Sequence, residues 1–427
     1  MKGLKLSLII LAATLLTIGL GGMAFAFHSG GVAECGGCHS MHAPKTGGSF
    51  LLIGTDQSST CLTCHSQLGD TGPSSYHIAT ADGDMPAGTA PLQRTPGGDF
   101  GWLKKTYTFT VRSTVYTEAG QTHGHNVIAV DNGYGVDTDN PTAPGGTFPA
   151  SQLACNSCHD PHGKYRRIGG DTVYTIATAG APIIGSGSYN NSTTPVAGQA
   201  VGSYRLLAGS GYSKASFPGV PIASAPSTYN QSEATNQVRV AYGHASAGSG
   251  KTSWGEWCAT CHTAMHSSGN YVHPVDESLG STMAGVYNAY VNSGNTVGGN
   301  AGTSYLSLVP FMENTSDYAI LKSHASNTNG YLNGPGSSDK VACLSCHRAH
   351  ATGFPEMLRW QMEGEFVTYV ADVGGAAVWP GTDTTPSKPQ FARGRLAAET
   401  QAAYYDRNVS VFGAYQRVLC NKCHAQD

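Results

Sequence analysis

The sequence predicts a mostly irregular chain, coil punctuated by short helices and few short strands, gathered around something other than an aliphatic core. Three observations predict it. Of 427 residues, 56 are Gly and 21 are Pro, so helix interiors are hard to sustain. Only 12% of residues are charged, and the helix formers Lys, Glu and Leu are scarce. A chain this rich in loops needs an organiser to offset the entropy of ordering it, and its 12 cysteines all fall into one repeated pattern. The formal net charge of −3 and the lack of a basic run argue against a nucleic-acid partner.

From the N-terminus, residues 1–26, MKGLKLSLIILAATLLTIGLGGMAFA, read as an export signal. Lys2 and Lys5 form a charged start, an apolar run follows, and Ala24-Phe25-Ala26 fits the small-x-small cleavage rule. The mature chain then starts at Phe27; the alternative is an uncleaved membrane anchor. No later segment holds about eighteen consecutive apolar residues, so the mature chain is predicted to have no transmembrane segment. Exported cysteines ordinarily mean disulfides, but the spacing argues otherwise.

The cysteines form six Cys-x-x-Cys-His motifs, with none left over. They are Cys35, Cys38, His39; Cys61, Cys64, His65; Cys155, Cys158, His159; Cys258, Cys261, His262; Cys343, Cys346, His347; and Cys420, Cys423, His424. This is the attachment signature of c-type haem. The thiols add to the vinyl groups as thioethers, and the adjacent imidazole ligates the iron from one face. A redox Cys-x-x-Cys needs no His beside it each time, and zinc would pair one Cys-x-x-Cys with another. Six covalently attached c-type haems are therefore predicted, and the fold class sharpens to a multihaem cytochrome c organised around a column of six haems.

The second iron ligand is predicted to be histidine as well. Seventeen histidines are present; beyond the six proximal ones stand His28, His42, His77, His123, His125, His162, His244, His266, His273, His324 and His350. The nine methionines hold no repeating position relative to the motifs. Bis-histidine, six-coordinate, low-spin iron is expected at every site, with potentials below those of His/Met haems. Motifs one, three and five carry a further His three residues after the proximal one: His42, His162 and His350. Such a residue points away from its own haem and suits the iron of a neighbouring one. Each odd motif also has an upstream histidine: His28, His125 and His324. His77, His266 and His273 stand in reserve, while His123 and His244 lie near glycine-rich loops and are expected at the surface.

This pattern reads as three di-haem modules within one domain of residues 27–427, spanning roughly 27–120, 121–320 and 321–427, each supplying its own ligands. Single helical turns are expected after the motifs. A helix is predicted over Ser281–Val291, STMAGVYNAYV, and another around PEMLRWQMEGEF. KKTYTFTVR alternates in period two and predicts a strand. The Gly/Ser/Thr/Asn-rich stretches near 180–200 and 292–304 read as surface loops. Lys164, Arg166 and Arg167 are candidate partners for haem propionates. Two decoys carry no chemistry: ASAGSGKTSW has Ala245 where a phosphate loop requires its first Gly, and GGDF at Gly97–Phe100 is four residues of low complexity.

Several stretches resemble one family: FHSGGVAECGGCHSMH, TGPSSYHIATADGDMPAGTAPLQRTPGGDFGW, CNSCHDPHGKYRR, APSTYNQSEAT, CLSCHRAHATGF and YQRVLCNKCHAQD. They are similar to the outer-surface hexahaem cytochromes of metal-respiring bacteria that polymerise into conductive filaments. The likeness spans nearly all of the mature chain, with departures near 40–55, 110–140 and 290–340. It implies a continuous haem column of alternating parallel and T-shaped pairs. It also implies that His42 ligates a haem, the fifth, of the next subunit. His28 and His77 would then serve haems one and two, and one of His324 or His350 would be released from the fifth.

Three functions compete. The first is an extracellular conduit: a homopolymer, exported to the outer surface, that hops electrons to other cytochromes, metal oxides or electrodes. The second is a discrete multihaem carrier of the periplasm or outer surface. The third is a multihaem reductase, which needs an open iron position. Every motif ends in His and spare histidines are plentiful, so no enzymatic activity is expected.

Overall fold

The computed structural model describes residues 35–45, 50–72, 76–227, 238–246, 248–266, 272–290, 299–304, 309–371 and 375–424. The export signal and His28 lie outside the described residues. So do residues 292–298 of the second predicted loop.

The helices are short because their sequences supply a cap and then run out of helix formers. The longest among the described residues is Gly280–Ala289, where the sequence predicted one. Asp56 caps the helix Gln57–His65 by accepting from Ser59 N at 2.7 Å. Ser253 opens Trp254–Ala259 with a reciprocal Ser/Glu cap: its Oγ accepts from Glu256 N, and Glu256 Oε2 accepts from Ser253 N. Asp317 caps Tyr318–His324 through Ala319 N and Ile320 N. No helix among the described residues is long and apolar enough to cross a membrane.

Helical turns fall on the motifs rather than after them. Cys35–Cys38, Cys155–Cys158 and Cys343–Cys346 are four-residue helices. One turn sets the two thiols of each on one face. The chain then becomes extended at His159 and His347, with φ −109° at both, which throws the imidazole clear of the helix. Motif two ends the longer helix Gln57–His65, and motif four starts inside Trp254–Ala259.

Strands are few and sheets small. Tyr107–Val111 forms where KKTYTFTVR predicted it, paired antiparallel with Thr114–Glu118. Arg166–Gly169 lies between Tyr174–Ala177 and Val201–Gly202. Ala241–Gly243 is antiparallel to Ala223–Ser224 and parallel to Met312–Glu313. The 180–200 stretch has no helix or strand, but it is not wholly a surface loop: Ser188 and Ala200 are buried, and it bridges through Ile183 to Ala200 and through Tyr189 to Ala225.

The predicted helix around PEMLRWQMEGEF does not form. Its start is one 3-10 turn, Pro355–Met357, and Glu356 and Met357 both take φ 58°, which an α-helix cannot contain. Tertiary demand overrides propensity here. The Leu358 backbone bridges His347, Arg359 N donates to Cys346 O at 2.8 Å, and Trp360 is buried.

The core is aromatic and arginine-rich rather than aliphatic. The largest cluster joins Trp102 and Tyr107 to Tyr287, Trp360, Trp379 and Phe412, with Cys346, Cys420 and Cys423 packed against it. A second cluster, with Trp254 and Trp257, receives Cys158 and Cys258. Haem attachment points thus line the cores. The clusters also cut across the expected modules. Arg94 pairs with Asp406 at 2.7 Å, Tyr107 OH donates to Glu399 at 3.2 Å, and Arg395 pairs with Glu118. Residues near 100 and near 400 therefore fold against each other.

Candidate functional site

Each motif closes on itself in the same way. The backbone N–H of His39, His159, His262, His347 and His424 donates to the first Cys carbonyl of its motif, at 2.8–3.1 Å. Five proximal rings also have Nδ1 on a backbone carbonyl. His39 faces Phe50 O at 2.7 Å, His65 faces Tyr76 O at 3.1 Å and His159 faces Arg205 O at 2.7 Å. His262 faces Pro144 O at 2.9 Å and His347 faces Glu356 O at 2.7 Å. A carbonyl only accepts, so Nδ1 carries the proton and Nε2 is the nitrogen open to iron.

The odd motifs share a strap that sequence reasoning missed. The straps are Phe50-Leu51-Leu52, Arg205-Leu206-Leu207 and Glu356-Met357-Leu358. The first residue of each offers its carbonyl to the proximal Nδ1. The second is left-handed, with φ 54°, 53° and 58°, and its carbonyl accepts from the residue after the proximal His: Ser40, Asp160 and Arg348. The third bridges the proximal His backbone. The next residue, Ile53, Ala208 or Arg359, donates to the second Cys carbonyl. A recurring x-Leu/Met-Leu after each odd motif was the available signal. Holding a non-glycine residue at positive φ costs about 1 kcal/mol or more, so the geometry is imposed by the contacts it makes.

The structure sets four proximal rings opposite a second imidazole. His39 faces His162 with centroids 6.4 Å apart and planes 9° from parallel. His159 faces His350 at 6.4 Å, His262 faces His125 at 6.1 Å, and His424 faces His273 at 6.1 Å. With metal–nitrogen bonds of about 2.0 Å and each ring nitrogen about 1.1 Å from its centroid, two imidazoles on one iron stand about 6.2 Å apart. The donor set therefore fits haem iron. Among the described residues no group of three or more His, Cys, Asp or Glu could hold a metal ion; the imidazoles come in twos. Burial first, then neighbouring imidazoles, push His125 down to about 4 and His350 down to about 3. Both are held neutral, the form that ligates metal. A cleft of about 650 Å³ beside His262 is lined by Pro144, Gly146 and Ala264. A Cβ on Gly146 would stand 1.8 Å from Cys261 O, so only glycine lets the cleft wall approach the motif this closely.

These pairs depart from the module reading, since His39–His162, His159–His350 and His273–His424 all cross its boundaries. Two of the three +3 histidines reach back to the preceding odd motif: His162 from motif three to motif one, His350 from motif five to motif three. His273, held in reserve on sequence, takes a facing position. His324 does not: its Nδ1 is 2.6 Å from Glu313 Oε2 and its ring stacks on Tyr331 at 4.0 Å. His266 Nε2 is 2.8 Å from Asp276. Among the described residues neither faces a proximal ring. His123, expected at the surface, is fully buried between Trp102 O and Glu118; His244 is half-buried, its N–H on Glu313 O. Buried His77 has Nδ1 on Asp70. His42 is exposed. Arg167 pairs with Asp171 and lies 3.9 Å over the Tyr318 ring, and Arg166 donates to Ala181 O. These two are occupied by protein partners.

Consecutive motifs are neighbours throughout. The Cys61 thiol is in hydrogen-bond contact with Cys155, and Cys258 with Cys343. Burial and then the charge of the adjacent motif raise the others: Cys38 by Cys64, Cys158 by Cys261 and Cys346 by Cys420. The attachment points thus follow one another in chain order, one to six.

No family model matches the chain. The C-type cytochrome OmcS of Geobacter sulfurreducens is 52% identical over 450 residues, spanning 100% of both chains. A solved structure of OmcS nanowires from that organism matches with a TM-score of 0.83 at 52% identity, over 94% of this chain and 100% of that one. A second, of the outer membrane cytochrome S filament, matches with the same TM-score at 50% identity, over the same shares. A chain that shares half its residues with OmcS from end to end, and folds alike, belongs to the OmcS family of c-type cytochromes.

Proposed function

We propose that this six-haem cytochrome is exported and polymerises end to end into an extracellular filament that conducts electrons to external acceptors. One observation carries the reading: the register of the +3 histidines runs off the chain. Motif three serves motif one and motif five serves motif three, which leaves exposed His42 with no ring opposite it and His347 with no facing imidazole among the described residues. His42 of the next subunit completes the fifth site in the same register. The whole-chain likeness to a filament-forming cytochrome supports this.

When bound, the haems supply the one-electron couple of their irons. The chain does the rest. His39, His65, His159, His262, His347 and His424 would hold the irons from the proximal side. His162, His350, His125 and His273 would close sites one, three, four and six, and His77, next to the Tyr76 carbonyl that holds the His65 ring, is the candidate for site two, with His28 as the alternative. Backbone carbonyls hold the proximal Nδ1 protons and so fix ring orientation. The closeness of Cys61 to Cys155 and of Cys258 to Cys343 would set successive haems side by side. With an imidazole on each face, these histidines would leave substrate no coordination position, which makes the protein a conduit rather than an enzyme. Other cytochromes, metal oxides and electrodes are the partners such a conduit would meet.

His42→Ala tests the reading. The expected result is loss of filaments in electron micrographs together with conversion of one haem in six to a high-spin spectrum, and added imidazole should restore low spin without restoring filaments. Filaments that persist with all six haems low-spin would sink it.

A further inference from the structure

The sixth attachment site has a contact that ligation and filament formation do not use. Trp360 is 3% exposed, and its indole Nε1–H points at Cys420 Sγ, 3.3 Å away. The indole is locked there by motif five. The preceding Arg359 donates Nε to Leu344 O at 2.7 Å and to His347 O at 3.1 Å, and its backbone N–H donates to Cys346 O. The following residue, Gln361, donates its N–H to Tyr404 OH at 3.0 Å. Arg359-Trp360 thus grips one motif and reaches the sulfur of the next. In the haem-loaded protein that sulfur is a thioether bonded directly to the porphyrin edge, and Trp Nε1–H can only donate.

Resting on the family reading, we propose that Trp360 is a potential-setting residue for the sixth haem, the hydrogen bond from its Nε1–H drawing electron density from the Cys420 thioether and favouring the reduced iron. Hydrogen bonding around a cofactor is one of the protein's levers on its potential. Because Arg359 ties the indole to motif five, the geometry of the fifth site fixes the energy of the sixth.

The alternative is that Trp360 only fills volume, and Trp360→Phe separates the two, since it keeps an aromatic ring and loses the N–H. In the full, haem-loaded chain, a spectroelectrochemical titration of the visible bands should show one of six components shifted roughly three- to tenfold toward the oxidised form, a tenfold change being about 59 mV for one electron. The other five should hold still and all six haems should stay low-spin. Trp360→His, which retains a ring N–H, should recover part of the shift. Six unmoved components in Trp360→Phe, or a uniform shift of all six, would overturn the proposal. Haem counting and electron microscopy of the same samples report separately on whether the chain is a six-haem polymer, so failure of that reading is distinguishable.

Discussion

A histidine in this chain is assigned by what meets its two nitrogens. His123 presents Nδ1 to Trp102 O at 3.0 Å and Nε2 to Glu118 at 2.9 Å, so neither nitrogen is open to iron. Its partner Glu118 also receives Arg395 and Arg393. Burial alone would raise that carboxyl, but Arg395, then the His123 hydrogen bond, pull it down to about 2, against an ordinary value of 4.5. A depressed carboxyl stabilises the fold fully above about pH 4.5, and the contribution fades as pH falls through about 2. Glu118→Gln should therefore be less stable than the wild type at neutral pH, with the gap narrowing by up to about 3 kcal/mol between pH 4.5 and 2. Denaturant unfolding followed by circular dichroism at several pH values measures it. A gap independent of pH would mean that the cluster contributes no net electrostatic stability.

Among the elements, short pieces are shaped by their ends. The hairpin Tyr107–Val111/Thr114–Glu118 turns through Arg112 and Ser113, at φ 48° and 67°. Two successive positive φ values make the primed turn that matches strand twist, and Asn-Gly suits it best. Both residues are exposed, so little packing is at stake. Replacing them with Asn and Gly should stabilise the protein by about 1 kcal/mol, read as a raised midpoint in thermal or denaturant unfolding. A fall would mean that the side chains of Arg112 or Ser113 contribute more than their strain costs. The straps make the opposite choice: Leu206 is buried, so its side chain is kept despite a glycine-like conformation.

Across the whole molecule, the sites form a series, and the segments near residues 100 and 400 fold against each other. Arg94–Asp406 and Arg395–Glu118 join segments 312 and 277 residues apart in the chain, and motifs three, four and five lie between them in sequence. A conduit of this kind is limited by its worst step. His350→Met should replace an imidazole at site three with a thioether, raising that haem's potential. Electrons would then pause in a deeper well, slowing escape about tenfold for each 59 mV. Filament conductance should fall while filament length is unchanged. Undiminished conductance would place His350 outside the coordination of site three.

Much of this protein was legible from residues alone. Six motifs with no spare cysteine fixed the cofactor count and kind, because covalent attachment needs only residues adjacent in the chain. The strand at KKTYTFTVR and the helix over 281–289 were also local, each a period repeated within a few turns of chain. Which imidazole faces which was not local. His39 and His162 are brought together by the loops and straps between them, and their spacing in the chain says nothing of distance in space. His324 and His266 share the residue type of the facing rings, yet the fold sets neither opposite a proximal imidazole among the described residues. The PEMLRW segment reads as helix until motif five claims its backbone. Local chemistry was therefore written in the sequence, whereas partner choice waited on tertiary structure, because two imidazole rings set face to face about 6 Å apart are a property of the packed fold.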